Sequence, residues 1–349
     1  MYRKALLLLA TMLLTATGVF AQDATAVAPI LPTAYRLNIV DGEYQGWNNC
    51  GPATLTNGLK YFGYQDDQKR AAAWLKPNPE DKNVTVTQMV EFVNTQVPEL
   101  PVYALTRTGG TLTLLKTLLY NNFPVIIEEG YDPEPDRLGW MSHFLLMIGY
   151  DDSVGVFTTH DSYDGMNLNY SYEHIDQFWR HFNRNYIVLY ERSREAELLG
   201  LLGTDADVWQ NHINSLEIAR AEAVANPNDA YAWFNMGTNF VTLGMYQEAS
   251  VAFDQSLQIG MPWRTLWYQY GPYEAYVHVG RYDDVLDLAR GILNDGGGQY
   301  VEETYYYAGL AREGLGETDR AIDNLRAAVN FNPNFIPARE ALDRLTANG

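Results

Sequence analysis

Hydrophobic and polar positions along the chain fall into three textures. After Arg3 and Lys4 comes an apolar run from Ala5 to Phe20. From about residue 37 to 191, amphipathic stretches give way to short β-branched runs. From about residue 207 onward the pattern is nearly continuous amphipathic helix broken by turns. In the middle texture, the spacing predicts helices over 52–62, ending at Gly63, over 86–97, with Thr85 or Thr87 as cap, and over 111–120. Strand runs follow at 124–127, 143–148, 155–159 and 186–190, bounded by Gly, Asp, Asn and Pro. Helices first and an antiparallel sheet second make an α+β layout rather than a βαβ alternation.

The last texture repeats. Gly244, Gly280 and Gly316 recur every 36 residues, each at a Leu-Gly or Val-Gly turn. Around Gly244 stand Trp233, Met236, Gly237 and Phe240, then Ala249, Phe253, Ser256 and Pro262. Around Gly316 the register returns as Tyr305, Ala308 and Gly309, then Ala321, Leu325, Ala328 and Pro333. The middle copy is degenerate, with Tyr273, Tyr276, Val285 and Ala289 at the matching places. This pattern resembles tetratricopeptide repeats, although their usual period of about 34 is exceeded. The resemblance implies an all-α solenoid with a concave groove for a polypeptide partner or substrate. Residues 210–225 read as an extra helix on the first repeat. The aromatic cluster Trp267, Tyr268, Tyr270 and Tyr273 reads as inter-helix packing.

Length and composition narrow the picture. A chain of 349 residues with 47% apolar content suits two packed domains. A net charge of −19 argues against nucleic-acid or anionic-membrane partners, which demand basic surfaces. The first 21 residues read as a secretory signal peptide, so the mature protein is expected to be exported and without a membrane span. The expected division is therefore a signal at 1–21, a lead-in at 22–36, an α+β domain at 37–191, a linker at 192–209 and repeats at 210–349.

Cys50 is the single cysteine. It cannot form an internal disulfide, and a lone thiol in an oxidising compartment is either buried and inert or kept for reactivity. Gly51-Pro52 behind it suits a helix start. There, backbone N–H groups and the helix dipole favour a thiolate and can hold an oxyanion beside it. A thiolate nucleophile needs an imidazole. Of the six histidines, His212 and His278 fall in the repeats, while His174 and His181 read as solvated on a polar helix. His143 opens the strongest strand, where a rigid core can aim it. A hairpin through residues 149–153 brings Asp161 back beside His143, with Asn167 or Asp164 as substitutes in that role and His160 on the opposite face. A metal site from His143, His160 and Asp161 lacks ligand-dense spacing, and the acidic loop 132–136 reads as solvated. No cofactor is expected.

The segments WNNCGPATL, SHFLLMIGYDD, FTTHDSYDG and YEHIDQFW together resemble the C39-like papain-fold cysteine peptidases, relatives of the double-glycine leader peptidases. The resemblance covers about residues 37–191. It implies Cys50 as nucleophile, His143 as general base and acid, and Asp161 as orienting group. It also implies an oxyanion-donating Gln six residues before the nucleophile; here Gln45 stands five before, with Asn48 or Asn49 as alternatives. The exporter relatives carry transporter segments, and no GxxxxGK loop occurs here. The substrate is therefore not inherited. Two functions follow: a secreted cysteine peptidase acting on a peptide or protein that the repeats recruit, or a papain-like binding module with weak turnover. The displaced Gln45 is the feature that favours the second.

Overall fold

The computed structural model describes residues 31–39, 41–132 and 139–347. The expected signal peptide, most of the lead-in and residues 133–136 of the acidic loop lie outside the described residues. The first region is built on a seven-stranded sheet: β1 (Ala34–Arg36), β2 (Val102–Arg107), β3 (Val125–Tyr131), β4 (Met141–Asp151), β5 (Val156–Asp161), β6 (Gly165–Ser171) and β7 (Tyr186–Glu191). Its order is β2-β7-β3-β4-β5-β6, antiparallel at each of these pairings. β1 pairs with the far end of β4, so the last lead-in residues belong to the sheet. Helices α1 (Cys50–Lys60), α2 (Gln68–Leu75), α3 (Val86–Gln96), α4 (Leu112–Tyr120) and α5 (Tyr172–Trp179) complete the α+β domain.

β6, β2 and α2 are among the elements that escape the sequence pattern. β6 is half-exposed along alternate positions, so its apolar signal is thin. β2 and α2 are short, and α2 buries only Gln68, Ala71 and Leu75. Elsewhere local chemistry sets the boundaries. Thr85 is the cap of α3, accepting from the Gln88 N–H while the Gln88 side chain accepts from the Thr85 N–H. α1 begins at Cys50, earlier than expected, because Pro52 occupies the first turn, where no backbone N–H is missed. Residues Gly51 to Leu59 of α1 are all buried. The helix lies hard against β7: a β-carbon at Gly58 would stand 2.6 Å from Leu189 Cδ1.

Residues 192–209, expected as a linker, instead carry helix α6 (Glu195–Leu202). Its Leu198 and Leu202 are apolar enough to bury themselves in the sheet domain's core. Beyond it come α7 (Val208–Ala225), α8 (Ala230–Thr242), α9 (Tyr246–Ile259), α10 (Gly271–His278), α11 (Tyr282–Asn294), α12 (Glu302–Gly314), α13 (Thr318–Phe331) and α14 (Ile336–Thr346). The pairs α8/α9, α10/α11 and α12/α13 are the three repeats. Gly244, Gly280 and Gly316 close the first helix of each pair at φ +69, +75 and +76, a region that favours glycine. This all-α solenoid has its own core, from Leu216 to Ala311.

The two regions are joined along the row of first helices. Asn183 donates to Asn239 at 3.1 Å, Asn235 to the Arg180 carbonyl at 2.8 Å, and Gln269 to the His181 carbonyl at 3.1 Å. Farther along, Asn83 donates to the Tyr268 carbonyl at 3.4 Å and Asn334 to the Trp74 carbonyl at 2.8 Å. The groove expected to receive a partner is thus largely occupied by the sheet domain itself. A cavity of about 420 Å³ remains where α3 faces α10, α12 and the start of α14. His181 is not solvated: it stacks on Tyr231 at 3.8 Å and accepts from Trp140 Nε1 at 3.1 Å. Burial, with Arg180 nearby, pushes its pKa down to about 3.

Candidate active site

The loop ahead of α1 is pinned by Gln68, a residue the sequence reading passed over. Gln68 Oε1 accepts from the Gly46 N–H at 2.7 Å and from Asn49 Nδ2 at 3.1 Å, and its Nε2 donates to the Tyr44 carbonyl at 2.8 Å. The Asn49 amide is thus bonded to Gln68 and is not among the described residues lining the cleft. Asn48 adopts a left-handed φ of +53 and lines the cleft beside Cys50. The first intrahelical bond runs from the Ala53 N–H to the Asn49 carbonyl, at 2.9 Å. The N–H groups of Cys50 and Gly51 therefore precede the helix's own hydrogen bonding.

Gln45 also lines the cleft. Its N–H donates to the Ser162 carbonyl at 2.8 Å, and its Oε1 accepts from Ser162 Oγ at 3.0 Å. With the oxygen so committed, the amide NH₂ is the end left to donate. Ser162 directly follows Asp161, so the loop bearing Gln45 is tied to the strand end bearing the acid.

His143 Nε2 lies 2.7 Å from Asp161 Oδ1. The register pairs Asp161 with Leu145, two residues from His143 on the same face, so the contact is a diagonal one. Asp161 also accepts from the Tyr163 N–H at 2.8 Å, the Asp164 N–H at 3.0 Å and the Tyr170 hydroxyl at 2.7 Å. Burial opposes its charge, but the His143 bond and these donors hold the carboxyl down at about 2. Burial likewise opposes an imidazolium; the hydrogen bonds to Asp161 and then Cys50 outweigh it and lift His143 to about 10. Nε2 being committed to Asp161, Nδ1 is the nitrogen left for Cys50. The rings of Tyr131 and Tyr163 flank the imidazole at 5.1 and 6.5 Å.

Three neighbours of the pair have other roles. His160 faces away and accepts from the Asn167 N–H at 3.2 Å, with its pKa lowered by burial. Asp164 is engaged by the Tyr131 hydroxyl at 2.7 Å and does not orient the imidazole. Glu129, directly across from His143 on β3, is fully buried and was not anticipated. Its Oε2 is 3.5 Å from His174 Nε2, an ion-pair separation too long for a strong hydrogen bond. Among the described residues, no three His, Cys, Asp or Glu side chains are grouped to hold a metal ion. Nor is any described helix long and apolar enough to cross a membrane.

The cleft measures about 500 Å³ and opens between the two regions, with Gln45, Cys50 and His143 on one side and Trp267 and Tyr268 on the other. A thiol at a helix start, beside a buried imidazole bonded to a carboxylate, is an arrangement suited to acyl transfer.

Residues 34–189 match the model of the Peptidase_C39 like family, so this part of the chain is a C39-like peptidase domain. No curated protein matches the chain. Among solved structures, a candidate C39-like peptidase from Bacillus anthracis aligns at 16% identity over 46% of this chain and 99% of its own, with a TM-score of 0.37. MamA from residue 41 to its end, from Desulfovibrio magneticus RS-1, aligns at 20% identity over 44% of this chain and 85% of its own, with a TM-score of 0.36.

Proposed function

We propose that the protein is a thiol hydrolase of peptide bonds, with Cys50 as nucleophile. The observation that carries this reading is the buried His143–Asp161 contact of 2.7 Å, with Cys50 at the other side of the imidazole on a helix start. Cys50 Sγ attacks the amide carbonyl carbon, and the carbonyl π electrons move to oxygen. The oxyanion is received by the Cys50 N–H and the Gln45 amide. His143 gives its proton to the leaving amine as the C–N bond breaks, leaving a thioester on Cys50. It then takes a proton from water, whose oxygen displaces the sulfur and releases the acid. Asp161 holds the ring and its charge throughout. The repeats supply the facing wall of the cleft, through Trp267 and Tyr268.

The test is the rate of Cys50 alkylation by iodoacetamide against pH, beside a His143→Ala variant. Fast alkylation near pH 6, with the variant's profile moved up toward that of a free thiol, near about 8.5, is the expected result. Reaction only in denaturant, or a variant identical to the parent, would leave a binding module as the better account.

A further inference from the structure

The cleft wall facing Cys50 comes from the repeats, and this bears on the substrate, given the thiol-hydrolase reading above. The wall is a short 3₁₀ turn, Thr265–Trp267, between α9 and α10. It occupies the place where the second repeat would begin, and α10 is cut to eight residues. The degeneracy of the middle repeat is therefore spent on this turn. Neighbours fix it from several sides. The Tyr270 hydroxyl donates to the Trp267 carbonyl at 2.7 Å, Asn83 holds the Tyr268 carbonyl at 3.4 Å, and Trp140 meets the Tyr268 ring edge-on at 5.9 Å.

One further observation describes what the cleft would accept. Its rim carries large rings that no core requires: Trp47 is 70% exposed and Tyr163 is 42% exposed.

We propose that the repeat region is a specificity element of the catalytic cleft: Trp267 and Tyr268 form, with the aromatic rim, a pocket for a large apolar side chain of the substrate peptide next to the attacked carbonyl. Apolar walls favour such a side chain through burial of area, and aromatic walls add ring–ring contact.

The experiment uses the full-length chain carrying Cys50→Ala, so that it reads the pocket and not the nucleophile. Acetylated tripeptide amides with Phe, Ala or Lys at the central position are titrated by calorimetry. The Phe peptide is expected to bind about tenfold more tightly than the Ala or Lys peptide. Adding Trp267→Leu or Tyr268→Leu should abolish the preference while thermal unfolding remains cooperative. Trp267 is buried in the repeat core, so Tyr268→Leu decides the matter if the first variant does not fold. Equal binding of all three peptides, or a Phe preference that survives both variants, would overturn the proposal. Failure of the hydrolase reading appears separately, in the alkylation profile of the protein that retains Cys50.

Discussion

Four donors converge on the buried carboxylate of Asp161: His143, the N–H groups of Tyr163 and Asp164, and the Tyr170 hydroxyl. The signs of the two shifts define a pH window. Asp161 is held near 2, below its unfolded value of about 4, so its contribution to stability is present above that value and is lost as pH falls through 2. His143 is held near 10, above about 6.5, so its contribution is complete below that value and is lost as pH rises through 10. Turnover should therefore fall above pH 10, where His143 has no proton for the leaving amine, while iodoacetamide alkylation, which needs no proton donor, does not fall with it. Parallel decline of both rates would contradict this assignment of the proton. Asp161→Ala leaves an uncompensated buried imidazolium and should destabilise the fold by about 3 kcal/mol in urea unfolding. Asp161 was legible because a strand, a turn and a returning strand bring it beside His143. Tyr170 was not, because the β5/β6 register shifts between Thr159 and His160, and a local pattern carries no trace of that shift.

Among the elements, α1 shows how a cysteine is positioned by a helix that it does not itself stabilise. Its apolar periodicity was readable, as was the helix start signalled by Gly51-Pro52. Its depth was not, since Gly58 looks like a weak helix residue and is in fact packed so near Leu189 that a β-carbon would stand 2.6 Å from its Cδ1. Gly58→Ala should improve intrinsic helix propensity and still destabilise the protein by about 1–3 kcal/mol, because the added methyl group overpacks the α1–β7 contact. Thermal unfolding beside Thr85→Ala, a cap deletion expected to cost about 1 kcal/mol, scales the effect. A stabilised Gly58→Ala protein would mean that α1 has room to shift, and that the position of Cys50 is less fixed than its burial implies. Among the elements missed from sequence, α2 and β6 hold Gln68 and Tyr170, which support the site from behind. Short or half-exposed elements carry little apolar periodicity, so the supports of a site are harder to read than its reactive groups.

Across the whole molecule, the repeat architecture was visible in the 36-residue spacing of its glycines, whereas its docking onto the sheet domain was not. That docking depends on polar residues such as Asn83, Asn183 and Asn334, which have no periodic signature. At one end it buries three carboxyls. Asp81, between α2 and α3, meets Glu302 and Glu303 at the start of α12; all three are nearly inaccessible. Asn332 donates to Glu302 at 2.7 Å, Tyr270 bonds Glu303, and Lys76 is the buried cation beside them. Burial first, and then Glu302 and Glu303, raise Asp81 well above the ordinary carboxyl range; burial and Glu302 do the same to Glu303. Groups raised in the folded state stabilise it fully below their unfolded values, near about 4, and lose that contribution as pH rises through the folded ones. The seam between the regions should therefore weaken with rising pH, from the Asp81 end. The check is the fall in Tm between pH 6 and pH 9 for the parent and for Asp81→Asn, in which the amide removes one titrating charge and keeps the shape. A smaller fall in the variant is expected. His143 titrates alike in both proteins and cancels from the difference. An identical fall in the two would mean that Lys76 already neutralises Asp81 in the folded state, and that the carboxyls do not govern docking.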